Sequence, residues 1–183
     1  STFEGEELIL ANVFKELRKS HPNLFLILVP RHHERADSVA RQLEQAGLVV
    51  MRRSKRFSGG KPHVLLVDTT GELAGWYLCA TVVFVGKSLC AQGGQNPAEP
   101  IAAGVPVIFG PHMQNFSTLV RAFLHKGGAM EVKDATGIRN AVTDLLASSN
   151  LRADMVANAA KCLEIHRGAT KKTTDLLQSR ILL

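Results

Sequence analysis

Gly93-Gly94-Gln95-Asn96-Pro97-Ala98-Glu99-Pro100 is the stretch on which the reading of this chain turns. An apolar strand pattern, Thr81-Val82-Val83-Phe84-Val85-Gly86, precedes it. A short helical segment that stops at Gly104 follows, before a second apolar run, Pro106-Val107-Ile108-Phe109. Glycines permit positive φ and let a ligand approach the backbone. Asn96 is a natural N-cap, and Pro97 suits the first helical position. A glycine turn feeding a helix presents N–H groups and a positive dipole end, which suits a phosphate. Glu99 falls one turn in, where a carboxylate can reach sugar hydroxyls. Asn96 and Glu99 also have capping-box spacing, so a purely structural cap fits equally well.

The same alternation extends in both directions. Leu8, Ala11, Val13, Phe14 and Leu17 mark an amphipathic helix. Leu24–Val29 is an apolar strand closed by Pro30, and Val39, Leu43 and Ala46 form a helical stripe closed by Gly47. Leu48–Met51 and Val64–Val67 read as strands joined through the loop Ser58–Pro62, and Leu73, Trp76 and Tyr77 as a short helix. After the strands Val82–Val85 and Val105–Phe109 come a helix over Asn115–His125 and a strand at Ala129–Val132. Helices over Ala135–Ala147, Leu151–His166 and Thr170–Arg180 follow. Fully apolar strands between helices indicate a parallel sheet covered on both faces. The fold class is therefore α/β, a Rossmann-like doubly wound parallel sheet. Ligands bind such sheets beyond the C-terminal strand ends. Pro30–Arg35, Asp68–Leu73, Gly86–Glu99 and Gly110–Phe116 all fall there.

Length and composition narrow the classes. The 183 residues suffice for one good core, with 45% apolar and 21% charged residues, ordinary for a globular protein. No apolar run approaches the ~20 residues that span a bilayer, and no signal peptide opens the sequence, which favours the cytosol. Cys79, Cys90 and Cys162 lack metal-ligand spacing, and no metal or cofactor is expected; Cys79 and Cys162 fall on apolar helix faces and read as packing residues. The net charge of +6 points to anionic partners. The densest cluster, Arg52-Arg53-Ser54-Lys55-Arg56, has no interleaved aromatics, which argues against nucleic acid. It reads as a solvated loop or as a contact for anionic lipid head groups.

The ordered set of motifs is more specific than any one of them. Gly86, Gly93-Gly94, Asn96-Pro97, Glu99-Pro100, Gly104, Pro106 and Phe109–Phe116 resemble the donor-binding half of 3-deoxy-D-manno-octulosonic acid (Kdo) transferases. Ser1-Thr2 with Glu4-Gly5-Glu6, Val29–His32 with Glu34-Arg35, Asp68-Thr69 with Gly71–Leu73, and Arg167–Thr170 agree in order and spacing. The resemblance implies the C-terminal half of a GT-B glycosyltransferase fold, with residues 1–183 as one nucleotide-sugar-binding domain. It implies transfer of Kdo from CMP-Kdo to a lipid A precursor at the cytoplasmic face of the bacterial inner membrane. The catalytic base and the acceptor surface belong to an N-terminal domain, so no catalytic residue is assigned here and the domain alone is expected to be inactive. Ser1-Thr2 reads as the loop after a first strand, which the resembling enzymes possess.

The donor-binding residues implied are Arg31, His32, Thr69, Gly71, Glu72, Gly93, Gly94, Gln95, Asn96, Glu99, His112 and Asn115. Arg31 suits the phosphate and carboxylate of CMP-Kdo, or Glu34 pairs with a neighbouring Arg in a plain surface turn. Thr69 and Glu72 have capping-box spacing, with base contact expected through backbone near Gly71. His112 and Asn115 flank a turn at a strand end. The sequence departs from the family's pattern at Lys87, where a glycine is usual, and at Gln95, where a histidine is usual; Gln95 keeps hydrogen-bonding capacity but cannot act as an acid. Two other classes fit part of the pattern: the donor half of a GT-B enzyme using a UDP-sugar, and a non-catalytic basic interaction domain.

Overall fold

The computed structural model describes residues 1–166. The expected helix over Thr170–Arg180, the Arg167–Thr170 match and the apolar tail Ile181–Leu183 lie outside the described residues. The elements run α1 (Glu6–Ser20), β1 (Leu26–Leu28), α2 (Ala36–Gln45), β2 (Val50–Arg52), β3 (Val64–Leu66), α3 (Leu73–Tyr77), β4 (Val83–Val85), α4 (Ala98–Ala102), β5 (Val107–Phe109), α5 (Ser117–His125), β6 (Met130–Glu131), α6 (Ala135–Ala147) and α7 (Ser149–His166).

All pairing between these strands is parallel. The sequence predicts one sheet; the structure has two, ordered β1-β3-β2 and β4-β5-β6. β1 and β4 do not pair. Between them lies an apolar slot of about 410 Å³, lined by Leu26–Val29, Val82–Phe84, α1 and α6 residues, and Trp76. Ser1 and Thr2 stand at the slot too, and Thr2 makes a parallel bridge with Pro30.

Side-chain alternation along β5 sorts the core into two faces, as a pleated strand requires. Val107 and Phe109 pack with Ile101, Val120, Phe123 and Ala159 beneath α4, α5 and α7. Ile108 points the other way, onto Ile138 and Leu145 of α6 and Val13 and Leu17 of α1. α1 also gives Ala11 and Phe14 to the core that joins α2 to Leu28, Val64 and Leu66. Helix α1 therefore ties both sheets together. One predicted α1 core position, Leu8, is instead 43% exposed. Cys162 is buried as expected, but Cys79 is exposed. α3 is only five residues long and ends at Tyr77, so Cys79 lies past it on a turn and not on a packed face.

Candidate functional site

The predicted site loops converge beyond the C-terminal ends of the strands. A cleft of about 80 Å³ is lined by Arg31 after β1, Leu73 and Tyr77 of α3, and Gln95, Asn96 and Glu99 around the start of α4. Four of the predicted donor residues, Arg31, Gln95, Asn96 and Glu99, thus share one surface. Burial, then the Glu99 carboxylate, pushes the Tyr77 phenol up to about 12, so it stays a protonated O–H group. The sequence offered no periodic signal that Tyr77 would face a cleft.

The Gly93–Glu99 turn is built differently from the expectation. α4 has five residues, and its first turn is served by a side chain: Asn96 Oδ1 accepts from Ala98 N at 3.0 Å, while Asn96 Nδ2 donates to Glu99 Oε1 at 3.1 Å. The position before the helix is Pro97 and not the predicted Asn96, which serves Ala98 N from one residue further out, and Glu99 meets the Asn96 side chain and not its backbone. The turn's own N–H groups are largely spent. Gly94 N donates to Lys87 O, Gln95 N to Gly86 O, and Gly93 N to Gln114 Oε1. A long helix dipole and an open row of N–H donors are not features of this turn; charged and amide side chains carry the polarity instead. Gly94, at φ +72°, is needed there, because a Cβ would sit 2.3 Å from Met113 Sδ.

The other eight predicted residues do not line this cleft. His112 N donates to Ser88 O and Asn115 N donates to Gly93 O, so both belong to the wall that backs the glycine turn. His32 is exposed, with its ring edge-on to Phe3 at 5.5 Å. Arg31 does not pair with Glu34: His32 and His33 flank that carboxylate, and Arg35 pairs with buried Glu7 at 2.9 Å. The Thr69–Glu72 capping box is absent as such. Thr69 Oγ1 donates to Glu72 Oε2 at 2.7 Å, and Arg53 grips the same carboxylate with two nitrogens. The Thr69 hydrogen bond and then Arg53 hold Glu72 below the usual carboxylate range. Gly71, exposed at φ +84°, forms the turn that leads into α3.

The basic run is not a free cationic patch. Arg52 is bound by Asp68 and Asp37, and Arg53 by Glu72. Lys55 and Arg56 remain exposed. Among the described residues, no three His, Cys, Asp or Glu side chains gather as a metal site, and no helix is long and apolar enough to cross a membrane.

Strand-end loops that gather a guanidinium, amides and a carboxylate on a parallel α/β domain define the class: a Rossmann-like domain with a ligand cleft beyond its strand ends, as expected of the C-terminal half of a GT-B fold. The comparisons narrow it. No family model matches the chain. It is 39% identical over 183 residues to the 3-deoxy-D-manno-octulosonic acid transferase of Bordetella pertussis, covering 97% of this chain and 43% of that protein. It is 37% identical over 180 residues to the enzyme of the same name from Haemophilus influenzae, covering 97% and 42%. The structure matches the C-terminal CMP-Kdo binding domain of WaaA from Acinetobacter baumannii with TM-score 0.84 and 34% identity, over 89% of this chain and 86% of that one. The chain belongs to the 3-deoxy-D-manno-octulosonic acid transferase family. It spans less than half the length of the curated relatives it matches.

Proposed function

We propose that this chain is the donor-binding half of a Kdo transferase and seats one part of CMP-Kdo in the cleft between Arg31 and Glu99, with the rest of the donor lying across the strand ends. The observation that carries this reading is that Arg31, Gln95, Asn96 and Glu99 line one cleft at the strand ends. The resemblance to a domain described as CMP-Kdo binding supports the choice of nucleotide. Glu99 accepts from the ribose hydroxyls. Arg31 offers a planar fork to the phosphate or to the Kdo carboxylate, with Asn96 beside it. Holding the leaving phosphate next to a guanidinium stabilises the charge that develops as the glycosidic bond breaks. Tyr77 closes the cleft as a neutral hydrogen-bond donor. Thr69, Gly71 and Glu72 form the rim through α3, and His112 and Asn115 support the turn from behind.

In this reading the acceptor, a lipid A precursor, and the base that deprotonates its hydroxyl belong to an N-terminal half. The two halves close on the cytoplasmic face of the inner membrane, which brings the hydroxyl into line with the donor. Lys55 and Arg56 are the cations left for anionic head groups. The two sheets are one sheet in the whole enzyme: a strand that precedes Ser1 fills the slot between β1 and β4. Thr2 N donates to Val29 O and Arg31 N to Thr2 O, both at 2.9 Å, a parallel ladder that points back into the slot. Trp76 Nε1, buried without an acceptor, lines the same slot.

The test is a calorimetric titration with CMP. Glu99→Ala is expected to weaken binding by ~1–3 kcal/mol, the cost of leaving polar partners unpaired. A variant that melts earlier yet binds CMP as the parent does would reduce Glu99 to a helix-start residue.

A further inference from the structure

Glu6 is a buried carboxylate, 0% exposed, at the start of α1. Charged groups are buried only where they are paired or fully hydrogen-bonded. Among the described residues, no cationic group pairs with Glu6. Four backbone N–H groups satisfy it, one local, from Phe3, and three from the distant segment 87–89. Oε1 accepts from Ser88 N and Leu89 N, each at 3.0 Å, and Oε2 accepts from Lys87 N at 2.8 Å and Phe3 N at 2.9 Å. Successive N–H groups converging in this way form an anion nest. Here the protein's own side chain occupies it.

We propose that Glu6 is the positioning residue of the donor cleft, one carboxylate from which its separate walls hang. The first wall reaches Glu6 through Phe3, since Thr2 O accepts from Arg31 N. The second reaches it through Gly86 and Lys87, whose carbonyls accept from Gln95 N and Gly94 N and so set the turn that carries Asn96 and Glu99. The third reaches it through Ser88, whose carbonyl accepts from His112 N and whose hydroxyl accepts from Gly110 N at 2.8 Å. The fit leaves no slack: a Cβ at Gly86 would lie 2.0 Å from Ser1 O and 2.8 Å from Glu6 Oε2. Glu7, equally buried, has other work, taking Arg35 and the Thr2 hydroxyl. Glu6 touches none of the cleft-lining side chains named above through its own carboxylate; its effect is transmitted by backbone.

This inference rests on the donor reading, and the experiment separates the two. The 183-residue chain is titrated with CMP alongside Glu6→Gln, which keeps shape but replaces one acceptor oxygen by a donor, and Val39→Ala, a core truncation on the buried face of α2. Amide exchange is followed in all three below their melting temperatures. Glu6→Gln is expected to lose about 10- to 100-fold in CMP affinity, as small displacements of a binding constellation do. It is also expected to lose protection at residues 87–89, 94 and 95. Val39→Ala should lower the melting temperature with affinity within about twofold of the parent, as an independent site should. Parental affinity in Glu6→Gln overturns the inference, whether or not exchange changes, and so does an affinity loss without any change in loop exchange. Absence of CMP binding by the parent chain defeats the donor reading, and the exchange pattern then decides alone whether Glu6 orders these loops. If Glu6→Gln does not fold, Glu6→Asp, which withdraws the same charge by one methylene, is read by the same criteria.

Discussion

Lys87 stands where the resemblance implies a glycine, and the structure shows what a lysine there involves. Its φ is +56°, the one positive value at a non-glycine among the described residues. The left-handed region costs a side-chain-bearing residue ~1–2 kcal/mol. Lys87 recovers part of this by placing Nζ 5.1 Å from the centroid of the Phe3 ring, worth ~0.5–1 kcal/mol at an accessible site. Lys87→Gly removes the strain, the ring contact and some order from the unfolded chain, the last costing ~0.4–1 kcal/mol. These terms nearly cancel, so denaturant unfolding should place Lys87→Gly within about 1 kcal/mol of the parent. Lys87→Ala keeps the strain and loses the ring, and should be less stable by ~0.5–1 kcal/mol. A strongly destabilised glycine variant would show that the ring contact outweighs the backbone. Gln95, the other departure, lines the cleft as an amide, and its backbone N–H is already committed to Gly86.

Strands and their connecting loops show which features can be read from sequence and which cannot. The apolar runs at 64–67, 82–85 and 105–109 contain β3, β4 and β5 because a strand buried on both faces must be apolar throughout. β2 starts two residues later than Leu48–Met51 and ends one later, at Arg52, because Arg52 is held at the strand end by Asp68 and Asp37, a long-range ion pairing that local hydrophobicity does not encode. The same pairing turned an expected solvated cluster into a structural clasp. The Asp68 side chain is 2% exposed; burial pushes its carboxyl up, but hydrogen bonds from Ser54 and Arg52 outweigh this and hold it below the usual range. A lowered folded-state pKa contributes stability that is present above the ordinary carboxylate value, about 4, and is lost as pH falls through the folded value. Chemical denaturation across pH 5 to 2 should therefore show a decline that is shallower in Asp68→Asn. Parallel pH profiles for the two proteins would remove Asp68 from the clasp. Glu6 stood in a stretch that carries the resemblance, but its role and that of Tyr77 were illegible for the same reason as Arg52. Their roles are set by partners about 80 and 20 positions away.

At the scale of the molecule, the alternation of elements and the clustering of motifs at strand ends were legible, while the break between β1 and β4 was not, because strand order is not written in local patterns. The slot makes a direct claim about the whole enzyme. A chain extended before Ser1 by the matching strand of a full-length relative is expected to bind an apolar fluorescent dye less than the present chain does, with increased exchange protection at Leu26–Leu28 and Val83–Val85. Equal dye binding by both chains would leave the two sheets as separate units. The central claim, that nucleotide binds between Arg31 and Glu99, is tested most directly by amide chemical-shift mapping of the chain with CMP-Kdo, with a UDP-sugar as the control ligand. The account gives saturable shifts centred on Arg31, Gln95, Asn96, Glu99 and Tyr77 with CMP-Kdo and far weaker ones with the UDP-sugar. Shifts centred on Arg52–Arg56, an equal response to the UDP-sugar, or no saturable response would contradict it.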